Sequence, residues 1–489
     1  MENILNLSIE EMHLALKEGK IKPSDLVKAS IAKAKENQKD YNSFVTILEE
    51  ALELAYELDN NFEENNPLYG IPFAAKDNFS TKGILSTGSS NTLKNYVPVY
   101  DATVISKLKD KKTVLIGKTV LDELAMGGTG LNGHTGPTRN PWDSSRQAGG
   151  SSGGSAAAVS LGIVPFALGS DTGDSVRKPA SFNGIVGFKP TWGRVSRFGL
   201  FPFAPSLDHV AYFTRTVKDS AYVLDAIAGQ DNNDSTSCFV PVGNYAKDLS
   251  LDVNGKKIAI INEINDLVEN EDINNSFKNV VKELENNGAK VGSVSFDINL
   301  LRAILPVYMV ISCAEATSNN ANLDGIKFGP REDGKTMGEQ VFNTRTKNFS
   351  ELVKRRFVIG SYCLSKQNQE KLFIRAQKVR RMIVNRLNEI FKDYDLIMTP
   401  SSGQVAPKID GQNEKIERLK DDYMILENHL ILGNFSGLPS ITLPLCMSNG
   451  LPIGVSLTGR AFKEQEVLNV ASFIESKLPF KNLIAKESK

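Results

Sequence analysis

Short apolar runs alternate with amphipathic stretches along the whole chain. Ser8-Ile9-Glu10-Glu11 has the form of a helix capping box. Pro23-Ser24-Asp25 opens a second helix, with Leu26, Val27, Ile31 and Ala34 on one face. The run from Leu68 to Asn78 reads as a short buried strand that ends on charge at Lys76. Val114–Gly117 is another strand, followed by a helical pattern over Val120–Met126. Further along, Lys257–Asn262, Val291–Phe296, Asp395–Pro400, Ile441–Leu445 and Ile453–Leu457 have strand character. Ser276–Leu284 and most of Phe349–Gln377 have helical character. Asn232–Asn254, rich in Asn and Asp, predicts a surface excursion. No repeat or linker divides the chain, so one large α/β domain is the simplest architecture.

The stretch from Gly149 to Ala180 differs from the rest. Six small residues, Gly149-Gly150-Ser151-Ser152-Gly153-Gly154, lead into a helix-like run. An apolar segment, Ile163–Leu168, follows and ends in the polar turn Asp171-Thr172-Gly173-Asp174-Ser175. Glycine lets backbone N–H groups approach a ligand closely, and exposed N–H groups stabilise an oxyanion. Serines in such turns become nucleophiles once a neighbouring base takes their proton. Ordinary helix–strand loops account for the two clusters about equally well. Two other motifs read weakly. Gly128, Gly130 and Gly133 match G-x-G-x-x-G, but no strand leads directly into them and no helix follows. Gly149-Gly150-Ser151-Ser152-Gly153 matches the nucleophile elbow, but the segment before it, Asn140–Gln147, is polar and broken by proline.

Composition narrows the classes. Lys+Arg and Asp+Glu are both 57, so the formal net charge is zero and a strongly basic nucleic-acid surface is not expected. Cys238, Cys313, Cys363 and Cys446 lie far apart, which fits a reducing compartment. His13, His134, His209 and His429 lack ligand spacing, so no metal site is expected. The first residues have neither a basic nor an apolar leader segment, and no uninterrupted apolar run approaches a membrane span. Together these predict a cytoplasmic protein with no membrane contact.

The combination of Lys76, the Gly149–Ser155 turn, the GSDTGDSVRKPA turn around Ser175 and the Gly184–Leu200 segment (GIVGFKPTWGRVSRFGL) resembles the amidase signature family. The resemblance implies a single amidase domain over 1–489, with a central mixed β-sheet covered by helices on both faces. Helices within 1–65 would pack outside the sheet, 66–230 would hold the catalytic core, and 231–489 would complete the sheet and substrate pocket. It also implies Ser175 as nucleophile, Ser151 as a bridging serine on a cis peptide bond, and Lys76 as base. The backbone N–H groups of Thr172, Gly173 and Asp174 would form the oxyanion hole. One departure stands out: the family usually has Gly-Gly-Ser where this chain has Gly173-Asp174-Ser175. A carboxylate there slows the reaction unless it points away or pairs, with Arg177 and Lys178 as nearby partners.

The likeness extends through NFSELVKRRFVIGSYCLS and NFSGLPSITLPL to family members that act as glutaminase subunits of tRNA-dependent amidotransferases. That implies glutamine as substrate, with Arg356 on its α-carboxylate, Tyr308 lining the pocket and Glu427 on its α-amine. It further implies a heterotrimer with B and C subunits. This chain would hold no cofactor; ATP and Mg would be used by the partner, which would also do most of the tRNA binding. A free-standing amidase for small amides, or a catalytically weak scaffold subunit disabled by Asp174, are the competing readings.

Overall fold

The computed structural model describes residues 4–410 and 421–485. Thirteen strands are present among them: β1 (Phe44–Ile47), β2 (Pro72–Lys76), β3 (Val114–Thr119), β4 (Arg139–Asn140), β5 (Asp143–Gln147), β6 (Phe166–Asp171), β7 (Val186–Lys189), β8 (His209–Thr214), β9 (Lys257–Ile261), β10 (Lys290–Val294), β11 (Leu396–Pro400), β12 (Ser440–Ser448) and β13 (Leu451–Gly459). Eleven form one sheet in the order β1-β3-β2-β6-β8-β7-β12-β13-β11-β9-β10, and β4 and β5 pair separately. β2 runs parallel to both β3 and β6, and β9 parallel to β10 and β11; the other pairs in the sheet are antiparallel. The sheet is therefore mixed, and it draws strands from nearly the whole chain. Strands β2, β3, β6, β7 and β8 are buried along their entire length, so they read as continuous apolar runs rather than alternating ones.

Most predicted elements are present. Ser8 accepts from the Glu11 N–H, and Glu11 accepts from the Ser8 N–H at 2.8 Å, which completes the capping box. Leu26, Val27, Ile31 and Ala34 form the buried face of helix Pro23–Tyr41. Ile441–Leu445 and Ile453–Leu457 belong to one hairpin, β12–β13. Its turn residues Asn449 and Gly450 both have positive φ (52° and 77°), as a type I′ turn requires.

Two expectations differ from the structure. The first 65 residues do not lie wholly outside the sheet: FVTI at Phe44–Ile47 is β1, which pairs antiparallel with β3 at the sheet edge. Its β-branched run favours a strand once helix Pro23–Tyr41 stops at Asn42, whose φ is left-handed. Val120–Met126 does not form a helix. Only Glu123–Ala125 makes a short turn, with Leu124 and Ala125 at φ 51° and 62°. The Asp122 carboxylate accepts from the N–H groups of Thr129 (3.2 Å), Gly130 (3.0 Å) and Asn132 (3.0 Å). Those bonds wrap the glycine-rich loop around the carboxylate, and this local bonding wins over helical propensity.

Ile298–Asn319 has the length and apolarity of a membrane-spanning helix. In this fold its main segment, Ile304–Asn319, packs against helix Glu351–Leu364, with Val307, Ile311 and Cys313 buried. The two helices meet at Gly360: a Cβ there would lie 2.1 Å from the Cys313 carbonyl oxygen. Gly360→Ala gains about 1 kcal/mol of helix propensity. Forcing backbone atoms apart costs about 1–3 kcal/mol, so a net loss of stability is expected. A lowered calorimetric unfolding midpoint would bear this out, and an unchanged or raised midpoint would show that the helices part freely.

Candidate active site

The parallel neighbours β2 and β6 end on the same edge of the sheet, where open α/β sheets bind their ligands. Lys76 closes β2 and Asp171 closes β6, and both side chains are completely buried. The Lys76 amine contacts Ser151 Oγ, Ser152 Oγ and Ser170 Oγ, each at 2.8 Å, and the Ser170 carbonyl at 3.3 Å. No carboxylate pairs with it among the described residues. Burial brings its pKa down to about 7, against the opposing pull of Asp122, Asp171 and Asp208. A neutral amine has a lone pair, so this lysine can accept a proton from a hydroxyl that touches it.

Ser151 follows a cis Gly150–Ser151 peptide bond and precedes helix Gly153–Ser160. Gly150 is required by close approach, since a Cβ there would meet Asp122 Oδ2 at 2.1 Å and the Gly130 nitrogen at 2.6 Å. Asp122 thus sets both the glycine-rich loop and the path of the serine turn. The Ser175 turn comes up beside Ser151, with the Ser152 N–H donating to the Ser175 carbonyl at 3.3 Å. Among the described residues, the hydroxyls of Ser151 and Ser175 are not hydrogen-bonded to each other. Lys76 and Ser151 are in direct contact, and Ser175 is beside them without a completed link.

A buried network holds the turn around Ser175. Asp171 Oδ2 accepts from the Val176 N–H at 2.9 Å, and its carboxylate accepts from Arg177 Nε (3.2 Å) and Nη2 (2.9 Å). Arg177 also donates to the carbonyls of Gly173 (2.7 Å) and Leu430 (2.6 Å) and to Asn434 Oδ1 (2.6 Å). Asn434 Nδ2 returns to Asp171 Oδ1 at 2.9 Å. Burial alone would raise the Asp171 pKa, but the charge and hydrogen bonds of Arg177 prevail and hold it well below the usual carboxylate range. Thr172 is fixed from the other side by its bond to Asp208 at 2.7 Å. The N–H groups of Thr172, Gly173 and Asp174 find no acceptor among the described residues.

Next to this turn lies a cavity of about 230 Å³. Its wall includes Gly128, Asp174, Lys178, Tyr308, Arg356 and Glu427, so the three expected pocket residues share one space with the residue before Ser175. Tyr308 lies over Gly173, where a Cβ would be 3.2 Å from the ring. Arg356 stacks over Phe203 at 5.5 Å, and its buried Nε has no acceptor among the described residues. Glu427 pairs with Lys178 at 3.0 Å and accepts from Ser402 Oγ at 2.7 Å. Neither cation expected to neutralise Asp174 does so directly: Arg177 pairs with Asp171 and Lys178 with Glu427. Asp174 has no positive φ, so its side chain costs no backbone strain.

The remaining motifs take structural roles. His429 is held between the carbonyls of Leu426 and Pro400, both at 2.9 Å, and burial lowers its pKa to about 4. Buried His209 bonds the Leu207 carbonyl at 2.7 Å. Neither histidine bonds Ser151 or Ser175, so the elbow reading has no base here. No cluster able to hold a metal ion occurs among the described residues. Ser152, Ser170, Asp122, Asp171 and Asn434 shape the site although the sequence assigns them no such role, and Arg177, offered there as a partner for Asp174, holds Asp171 instead. Arg177→Met should cost about 3–5 kcal/mol in denaturation at neutral pH, because it leaves Asp171 buried without its counter-charge. A loss below about 1 kcal/mol, the range of exposed pairs, would remove the pair from its structural role.

A family model described as Amidase matches residues 25–468. The A subunit of glutamyl-tRNA(Gln) amidotransferase from Streptococcus pneumoniae (strain 70585) is 41% identical over 475 residues, 96% of each chain. A crystal structure of the A subunit of glutamyl-tRNA(Gln) amidotransferase from Thermotoga maritima has a TM-score of 0.80 at 38% identity, covering 99% of this chain and 98% of that one. The substrate complex of 6-aminohexanoate cyclic dimer hydrolase has a TM-score of 0.81 at 25% identity, covering 99% of this chain and 100% of that one. The match over most of the length, together with a buried lysine against the serine turns, identifies this chain as a member of the amidase signature family.

Proposed function

We propose that this chain is the glutaminase subunit of a tRNA-dependent amidotransferase, hydrolysing glutamine to glutamate and passing the ammonia to a partner subunit. The observation that carries the reading is the cavity beside Ser175. It combines a half-buried guanidinium at Arg356, which has no carboxylate partner among the described residues, with acidic groups at Asp174 and Glu427. A neutral-amide hydrolase has no use for both signs of charge, whereas an amino-acid amide presents an α-carboxylate and an α-ammonium. Arg356 takes the carboxylate, for which a planar guanidinium is well suited. Tyr308 walls the pocket, and the acidic side receives the ammonium. The names and extent of the amidotransferase relatives support the same assignment.

In this mechanism Ser175 Oγ attacks the side-chain amide carbon, and its proton passes through Ser151 to Lys76. The path needs the Ser175 hydroxyl to turn toward Ser151, a contact of the kind that tightens when substrate is present. The free N–H groups of Thr172, Gly173 and Asp174 receive the developing oxyanion. Lys76 returns the proton through Ser151 to the leaving nitrogen, and ammonia departs. Water then cleaves the Ser175 ester, releasing glutamate and restoring the serine. The chain needs no metal or cofactor for these steps. In a heterotrimer with B and C subunits, the partner would use ATP and Mg to activate Glu-tRNA(Gln), Asp-tRNA(Asn) or both, and would hold most of the tRNA. Such a complex would work in the cytoplasm.

Ammonia release from glutamine by the complex should fall by roughly 10³-fold or more in Ser175→Ala. Equal rates in variant and wild type would overturn the mechanism and favour the scaffold reading. Because burial holds Lys76 down to about 7, its basic form appears as pH rises, so kcat/KM should climb through that value. The climb should persist in Asp174→Asn, which removes the other group near the site raised to about 7. A flat profile in that variant would rule out Lys76 as the base.

A further inference from the structure

We propose that Asp174, rather than Glu427, receives the substrate's α-ammonium group and so determines specificity for zwitterionic amides. The assignment rests on the glutaminase reading of the same cavity.

Among the described residues, four charged side chains line that cavity: Asp174, Lys178, Arg356 and Glu427. Two of them already satisfy each other. Glu427 has one oxygen on Lys178 at 3.0 Å and the other on Ser402 Oγ at 2.7 Å. An ammonium arriving at Glu427 would have to displace Lys178 or share its carboxylate with it. The other two are open. Arg356 has no carboxylate partner among the described residues, and its Nε lacks an acceptor there. Asp174 has neither a hydrogen bond nor an ion pair to its carboxylate among the described residues. The guanidinium nearest in sequence, Arg177, is committed to Asp171, Asn434 and two carbonyls.

Among its described residues the cavity therefore holds one open cation and one open anion, the complement of an amino acid's head group. A carboxylate facing a cavity without a partner is costly unless its ligand brings the missing charge. Burial pushes the Asp174 carboxyl up to about 7 even though Lys178 pulls it down, as expected for an acid awaiting a cation. Its position immediately before Ser175 adds a second effect. An unpaired Asp174 carboxylate opposes the negative charge that develops at the neighbouring N–H groups, and a bound ammonium cancels that opposition. Amides lacking the ammonium lose a contact and also meet an uncompensated charge, so discrimination comes from repulsion as well as attraction.

The test compares glutamine with glutaramate, which lacks only the α-amino group, using the full amidotransferase complex. In wild type glutamine should be strongly preferred. Asp174→Asn keeps the backbone N–H and the side-chain size, and should reduce the kcat/KM preference for glutamine by roughly 10–100-fold, the worth of one charge-assisted contact. Asp174→Glu should restore part of it, which a purely structural role would not allow. Glu427→Gln should reduce the preference less than Asp174→Asn does, because it removes the partner of Lys178 rather than the group that receives the ammonium. An unchanged preference in Asp174→Asn, or a collapse confined to Glu427→Gln, would overturn the assignment. Calorimetric binding of both compounds to Ser175→Ala chains with and without Asp174→Asn gives the same comparison without turnover. A wild-type complex that binds and hydrolyses neither compound overturns the glutaminase reading itself, an outcome distinct from loss of the preference alone.

Discussion

The buried pair of Asp171 and Arg177 sets the shape on which the site depends. A turn that leaves three successive N–H groups without acceptors inside a protein is unfavourable unless the rest of its polar groups are fixed elsewhere. Here Asp171 takes the N–H of Val176, while Arg177 takes the carbonyl of Gly173 and Asn434 closes the ring. The carbonyl of Gly173 is thereby held to the protein side, and among the described residues the N–H groups of Thr172–Asp174 remain free for a ligand. Such nests of N–H groups favour anions. The pair is buried almost completely, so its net worth to stability is modest, but removing either partner strands the other. The arrangement constrains geometry more than it adds free energy.

Burial of Lys76 follows a different logic. The amine has three serine hydroxyls and a carbonyl around it but no direct carboxylate among the described residues, although Asp122, Asp171 and Asp208 are near enough to be felt. A paired carboxylate would have held the lysine charged and made it useless as a base. Serines satisfy its hydrogen bonds in either protonation state, because a hydroxyl both donates and accepts. The acids stay occupied with other groups: Asp122 with loop N–H groups, Asp171 with Arg177, and Asp208 with Thr172 and the N–H groups of Phe203 and Ala204. Their charges moderate the desolvation of Lys76 without neutralising it.

Much of this was legible in the sequence, but unevenly. Apolar runs marked most strands, and Lys76, Ser151 and Ser175 stood in motifs specific enough to be singled out; the structure brings the first two into contact and the third beside them. Arg356, Tyr308 and Glu427, which the resemblance singles out, line one cavity. Asp122 was hidden because its segment has a helical apolar spacing; its partners are loop N–H groups that periodicity does not register. Ser152 and Ser170 were hidden because one hydroxyl in a small-residue turn looks like another. Asn434 reaches Asp171 across 263 residues, and a single sequence contains no signal for such a pairing. The partners that Arg177 and Lys178 take are hidden for a related reason. Proximity in sequence favoured Asp174, whereas the fold offered Asp171 in a better geometry and Glu427 from a distant helix.

The charge arrangement of the cavity also bears on Lys76 as the proposed base. A substrate carrying only a carboxylate would add one negative charge near Lys76, raise its proton affinity and oppose its action as a base. A substrate carrying only an ammonium would lower that affinity further and make the amine a weaker acceptor. A zwitterion held between Arg356 and an acidic side chain adds no net charge, and each end lies against its opposite. The field at Lys76 then changes little on binding, and the value set by burial persists into the reaction. An internally satisfied Lys178–Glu427 pair adds no net charge either. On the proposed reading, the same neutrality that matches a zwitterionic head group keeps Lys76 near the pH at which it can exchange a proton.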